Sequence, residues 1–194
     1  MIWVPNGYAN GVGPVPPDRL PTFADRQLSV FFAGNVTGIE GDFPERAALF
    51  ETVRAHGLPS AMGATPSFGA GMGRVSYATH LANAKFAPVP AGMSPETIRL
   101  YDALENGAIP LALDHPYLNA PDALGAFGGV PFPVLQSWDQ LPALLAPVLA
   151  GDAAAIADWE HRRREIGGWW ANLKHRVEET VAVTVEDAFA QSPT

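Results

Sequence analysis

The stretch Lys85-Phe-Ala-Pro-Val-Pro-Ala-Gly-Met-Ser-Pro-Glu-Thr-Ile-Arg-Leu-Tyr-Asp-Ala-Leu-Glu-Asn-Gly-Ala-Ile-Pro-Leu-Ala-Leu113 carries strand, loop, helix and strand signals in unbroken succession. Residues 86–89 are a short apolar run, Gly92 permits a tight turn, and Ser94 stands where a hydroxyl caps a helix. Pro95 suits the first helical position, Glu96 complements the positive end of the helix dipole, and Gly107 after Asn106 is a C-terminal stop. The spacing predicts a helix over 95–106 and a strand over 109–113. Strand, helix and strand in this order form a βαβ unit, which implies an α/β fold on a mostly parallel sheet.

The flanks repeat the alternation. Residues 27–33 are a β-branched and aromatic run closed by Gly34-Asn35, as in a buried strand ending in a turn. In the helix that follows, Asp42 can cap, Pro44 can occupy the first turn, and Ala47, Leu49, Phe50 and Val53 give the apolar stripe. A short helix is expected over 77–84, a strand over 132–135 and a helix over 138–150. Residues 152–188 read as one or two amphipathic helices, bent or interrupted near Gly167-Gly168, with Ile156, Trp159, Trp169, Trp170 and Leu173 free to pack. Residues 58–74, rich in small residues and lacking either period, read as a mobile loop. Residues 1–22, rich in proline and glycine, read as an extended connector to something preceding it rather than as a packed element. The expected organisation is a linker over 1–24 and one three-layer, Rossmann-like domain over 25–190.

With 194 residues, 47% of them hydrophobic, and a mean hydropathy of +0.05, the chain can bury one sizeable core. No apolar run approaches the roughly 20 residues of a membrane-spanning helix, and the N-terminus lacks a secretion signal, so a soluble, cytoplasmic chain is expected. The absence of cysteine excludes disulfides, thiolate metal sites and a cysteine nucleophile. A net charge of −8 argues against nucleic acid or an anionic membrane as partner, and leaves room for one enclosed phosphate site. The run His161-Arg162-Arg163-Arg164, flanked by Glu160 and Glu165, reads as a solvated helix face.

A helix that starts directly after a parallel strand aims its free N–H groups at the crevice above the strand ends, where phosphates bind. Residues 91–97, including Gly92, Ser94 and Thr97, would line that site. Arg99 and Asp102, one turn apart, allow two readings. They are a surface ion pair, or an arginine fork for a phosphate beside a carboxylate for ribose hydroxyls.

The segment 91–111 closely resembles the donor-site segment of exostosin-like glycosyltransferases, in which a Gly-Ser loop precedes an Arg-Leu-Tyr-Asp/Glu-Ala helix and a Gly-x-Ile-Pro-Val strand. The group that includes the ribitol xylosyltransferases is similar here too. Arg26-Gln-Leu-Ser-Val-Phe-Phe-Ala-Gly-Asn35, followed by Arg46, resembles the start of that family's C-terminal domain, and residues 77–86 resemble the lead into its donor loop. The three matches occur in the family's order and span roughly residues 26–149.

The resemblance implies the C-terminal, nucleotide-sugar-binding half of an inverting transferase of the GT-B type, with a uridine-type sugar donor and a glycan acceptor. Residue by residue it implies donor roles for Gly34 and Asn35 after the first strand, Gly92 and Ser94 in the loop, and Arg99 and Asp102 on the helix. Asp102 stands where many relatives carry the longer Glu. No cofactor or metal is expected, charge being stabilised by arginine and helix dipole. The catalytic base is expected from an N-terminal acceptor domain that has no counterpart in this chain, so such a domain, or a second copy of the chain, is an expected partner. The competing readings are a non-catalytic nucleotide- or glycan-binding module and an inactive fragment of a two-domain enzyme.

His115, after the strand over 109–113, is placed to touch a donor sugar or diphosphate. His56, His80, His161 and His175 share no metal-ligand spacing. Gly69-Ala-Gly-Met-Gly73 resembles a dinucleotide loop and lacks the strand and helix that loop needs. Trp169 and Trp170 read as packing residues that could also stack on a sugar ring.

Overall fold

The computed structural model describes residues 3–9, 11–38, 41–65, 71–121 and 123–190. Strand β1 (Leu28–Asn35) runs through the middle of the core, with Val30 and Phe32 buried on one face and Phe31 and Ala33 on the other. A two-stranded hairpin, β2 (Thr37–Gly38) and β3 (Gly41–Asp42), leads to helix α1 (Pro44–Ala55). Then follow β4 (Ser60–Thr65), α2 (Arg74–Asn83), β5 (Ala84–Pro88), α3 (Ile98–Glu105), β6 (Ile109–Leu113), β7 (Val134–Leu135), α4 (Leu141–Leu149) and α5 (Ala153–Ala190).

The main sheet has the order β4-β1-β5-β6-β7, and every pairing in it is parallel. Leu49 and Val53 of α1 join Val30 and Phe32 on one face, while Leu81 of α2 joins Phe31 and Ala33 on the other. The result is the expected three-layer, Rossmann-like α/β domain. The chain leaves β1 toward β4 and returns to the other side of β1 with β5. The point where the direction reverses lies between β1 and β5, and ligands of such sheets bind in the crevice above it.

Four expectations are corrected. First, residues 58–74 are not a loop throughout. Residues 60–65 pair with β1 over six positions, from Val30↔Ser60 to Asn35↔Thr65, and α2 begins at Arg74. Small residues hide this strand because main-chain pairing at the sheet edge, not side-chain burial, holds it. Gly69 and Ala70 of the glycine-rich run lie outside the described residues.

Second, α5 is one continuous helix of 38 residues, roughly 57 Å long, with Gly167 and Gly168 inside it. A Cβ at either glycine would meet nothing within 4 Å, so both face outward, while Ile166, Trp170 and Leu173 are buried and hold the helix together across them.

Third, α3 starts at Ile98, three residues later than predicted. Thr97, in extended conformation, is its N-cap, with Oγ1 accepting from the Arg99 N–H at 3.4 Å. Ser94 Oγ accepts from the Glu96 N–H at 3.1 Å in the preceding turn. Likewise Phe43, not Asp42, precedes α1, without a side-chain cap.

Fourth, the proline- and glycine-rich start is irregular yet packed. Val12 is 3% exposed and Phe23 fully buried. Residues 6–9 and 11–15 lie along α3 on the side expected to face solvent, and with the core on the other side they leave six of its eight residues, Leu100 to Glu105, buried. An irregular backbone needs partners for its polar groups, and α3 supplies them. Glu96 accepts from the Asn6 N–H at 2.8 Å, Asp102 from the Ala9 N–H at 2.7 Å, and Glu105 from the Val15 N–H at 3.0 Å. Asn106 Nδ2 donates to Val12 O at 3.4 Å. Glu105 also receives Trp170 Nε1 and Lys174 Nζ of α5, at 2.8 and 2.9 Å.

Arg26 closes the opposite rim of the sheet. Its buried guanidinium donates to the carbonyls of Leu81, Ala84 and Asn106 at 3.2, 2.9 and 3.1 Å, and burial brings its pKa down to about 10. In α5, Glu160 holds Arg163 and Arg164 and accepts the Phe23 N–H at 2.6 Å, so only part of the basic run is the solvated face expected. Among the described residues no single helix is long and apolar enough to cross a membrane.

Candidate functional site

Two arginines tie together the loops on either side of the switch point. Arg46, the third residue of α1, donates from Nη1 to Asn35 O at 2.7 Å and from Nε to Ala91 O at 3.1 Å, so it joins the end of β1 to the loop after β5. Arg99, from the first turn of α3, donates from Nε to Ala33 O at 2.8 Å and lies over the Phe32 ring. Arg46 Nη2 and both Nη atoms of Arg99 donate to nothing among the described residues. Neither guanidinium is within salt-bridge distance of a carboxylate there.

Gly34 and Gly92 leave open the space that the ends of the two arginines occupy. A Cβ on Gly34 would lie 2.3 Å from Arg99 Nη2, and one on Gly92 would lie 2.4 Å from Arg46 Nη2. Burial, followed by the like charge of Arg99, brings the Arg46 pKa down to about 10 against the pull of Glu45. Burial also lowers Arg99, opposed by Tyr77 and Asp102. Two partly buried cations within each other's field and without an ion pair are costly unless an anion sits between them. Asn35 adds an unused group, since its Oδ1 is buried without a hydrogen-bond partner.

Beside the arginines, Glu45, Ala91, Pro95, Thr97, His115 and Tyr117 line a narrow crevice of about 20 Å³. That is room for about one water molecule, so a larger ligand would lie across its mouth. His115 Nδ1 accepts from the Tyr117 N–H at 3.0 Å. With Nδ1 accepting, Nε2 is the ring nitrogen left to donate. The Tyr117 hydroxyl is 2.9 Å from that of Tyr101, which donates to Glu96 at 2.7 Å. Burial first, then this pairing, keeps the Tyr101 phenol protonated far above its usual range.

The predicted residues thus divide into three groups. Gly34, Asn35, Gly92 and Arg99 converge at the switch point, while Thr97 and His115 line the adjoining crevice. Ser94 is exposed and tied into the turn. Asp102 is 2% exposed, and its carboxylate is engaged by the Ala9 N–H and, at 3.3 Å, by the Tyr77 hydroxyl. It makes no ion pair with Arg99. Burial raises its pKa, with the bonds from Ala9 and Tyr77 opposing. The exposed ion pair considered from spacing is therefore overturned, because residues 6–9 and 11–15 cover that side of α3.

Arg46 stands at the switch point, and sequence reasoning left it out of the site. It followed the Phe-Phe-x-Gly-Asn match at a distance, and nothing local distinguishes it from a surface arginine in the first turn of a helix.

Residues 70–190 match the family model described as the RXYLT1 C-terminal domain, which covers more than half of the chain and includes the loop after β5, α3 and β6. No curated protein and no solved structure matches the chain.

Proposed function

Because the chain belongs to the RXYLT1 C-terminal domain family of exostosin-like glycosyltransferases, we propose that it binds the diphosphate of a nucleotide sugar between Arg46 and Arg99, as the donor half of an inverting sugar transferase. The observation that carries this reading is the pair of guanidinium groups at the switch point, held by main-chain carbonyls and without an ion pair among the described residues. A diphosphate there would accept the free Nη groups in forked geometry and relieve the repulsion between them. The N-terminus of α3, capped by Thr97, adds its dipole from the crevice side. His115, donating from Nε2, would reach the donor's sugar or a phosphate oxygen.

In this reading the arginines and the helix dipole stabilise the charge that grows on the leaving diphosphate. The base that deprotonates the glycan hydroxyl comes from a partner domain or a second copy of the chain. Uridine as the base of the donor follows from the family resemblance, and the unpaired Asn35 Oδ1 supplies an acceptor for an N–H of a nucleobase.

Calorimetric titration of the full chain with uridine diphosphate tests the reading. Wild type should bind saturably, and Arg46→Ala and Arg99→Ala should each weaken binding by tenfold or more, while Arg162→Ala, on the outer face of α5, should leave it unchanged. A folded wild-type chain that binds neither uridine diphosphate nor inorganic pyrophosphate would rule the site out.

The covered Asp102 favours one second reading, a module that holds a diphosphate without a ribose clamp and does not transfer sugar. Equal affinity for pyrophosphate and uridine diphosphate would select it.

A further inference from the structure

A second hollow opens on the same rim of the sheet, at its β6–β7 edge, with a volume of about 480 Å³. That lies within the roughly 300–1,000 Å³ of small-molecule sites. Asp114 and Gln136, the residues directly after β6 and β7, stand side by side in its wall, with Gln136 Nε2 donating to Asp114 Oδ2 at 3.3 Å. The Asp114 N–H donates to Leu135 O at 2.8 Å, so the sheet itself fixes the spacing of the two side chains. Asn119 and Trp169 complete the functional lining, and Gly128 and Gly129, with φ of +88° and +87°, form a rim without side chains.

The chemistry of this lining is selective. Among the described residues it contains no lysine, arginine or histidine, and Asp114 brings a negative charge, so phosphates and carboxylates are repelled. Its described polar groups are one carboxylate and two amides, which accept from and donate to hydroxyls, beside Val130, Pro131, Val134 and the aromatic ring of Trp169. Much of that capacity is unspent. The Asn119 side chain makes no hydrogen bond among the described residues, and Gln136 Oε1 and Nε2 share only the one long contact with Asp114. Trp169 is held from behind by an edge-on contact with Phe132 at 6.1 Å, which fixes its ring without help from a ligand.

We propose that this hollow is a binding site for a neutral saccharide ring, with the ring's hydroxyls on Asp114, Asn119 and Gln136 and an apolar flank against Trp169. It adjoins the crevice at the switch point, Asp114 lining the one and His115 the other, but the two share no lining residue, and it does not depend on the nucleotide reading. A sugar unit held there would lie on the same rim as the crevice, which suits a glycan that approaches the strand ends from the β7 side.

Saturation-transfer NMR on the full chain, with the methyl glycosides of D-xylose, D-glucose and D-galactose at about 10 mM, tests the site. One small ring supplies only a few kcal/mol, so dissociation constants in the millimolar range are expected. At least one glycoside should receive saturation, and the Trp169 fluorescence should change on its addition. The exposed pair Asn119→Ala/Gln136→Ala should cut the signal fivefold or more while leaving the melting temperature and any uridine diphosphate binding unchanged. Trp169→Phe, which keeps an aromatic ring, should retain part of it. Absence of saturation transfer for all three glycosides overturns the proposal. So does a signal that survives the double substitution, or one that uridine diphosphate abolishes while the double substitution does not.

Discussion

The main-chain N–H of Ala9 donates to Asp102 Oδ1 at 2.7 Å, across 93 residues of chain. The carboxylate that the family resemblance assigns to ribose is thus held by the protein's own backbone. If a ribose is to use Asp102, residues 6–15 have to yield. Ala9→Pro removes the donated N–H, and calorimetry should then show tighter binding of uridine diphosphate by severalfold, with a stability loss of about 1 kcal/mol. Unchanged affinity would mark Asp102 as a purely structural acceptor.

Asp102→Ala leaves the Ala9 N–H without its acceptor and the Tyr77 hydroxyl without its partner. The cost should be about 1–3 kcal/mol in denaturant titration, with or without nucleotide. Any loss of nucleotide binding in this variant has to be compared with Asp102→Asn, which keeps the shape and an acceptor oxygen.

Gly34→Ala and Gly92→Ala place a methyl group 2.3 and 2.4 Å from Arg99 Nη2 and Arg46 Nη2. Each should displace one guanidinium, lower stability by about 1–3 kcal/mol and weaken uridine diphosphate binding as the arginine substitutions do. A Gly34→Ala chain that binds like wild type would show that the Arg99 position is not needed.

How much of this was legible in the sequence depends on whether a signal was local. Residues 85–113 announced strand, loop, helix and strand because Gly92, Gly107 and the apolar runs act through their own backbone. The continuous α5 was not legible, since two glycines in sequence look the same whether flanking contacts bridge them or not. Nor was the covering of α3. Asp102 and Glu105 are polar residues that a periodicity argument turns toward water, and contacts remote in sequence turn them inward, from Ala9 to Asp102 and from Val15, Trp170 and Lys174 to Glu105. Arg46 and Arg99 meet through the sheet order, which no spacing along the chain encodes.

Glu160 provides a pH test. Burial opposes its ionisation, but hydrogen bonds from Arg163, the Phe23 N–H and Arg164 outweigh this and bring its pKa down to about 2. A carboxyl group with a depressed pKa stabilises the fold fully above its unfolded value near 4.5, and that stability is lost as pH falls toward 2. Solvent screening at this partly buried position reduces the contribution to roughly 1 kcal/mol. In urea titrations, Glu160→Gln should be less stable than wild type at pH 7, with the difference shrinking between pH 4.5 and pH 2. A constant difference across that range would assign the loss to packing.

At Gly167 and Gly168 a Cβ would meet nothing within 4 Å. Because glycine is costly inside a helix, Gly167→Ala and Gly168→Ala should each stabilise the chain by about 0.5–1 kcal/mol and raise its melting temperature. A drop in melting temperature would mean that the helix bends there in solution.

Arg46 feels the like charge of Arg99, and neither forms an ion pair among the described residues, so bringing them to one switch point stores repulsion. On the proposed reading, a dianion between Arg46 and Arg99 would relieve that repulsion, and part of its binding free energy would come from doing so. Melting temperature then becomes a gauge of free ligand concentration. The chain as a whole carries −8, and at long range that field turns a diphosphate away. Moderate salt should therefore speed association by screening the approach, even as it loosens the contact once made.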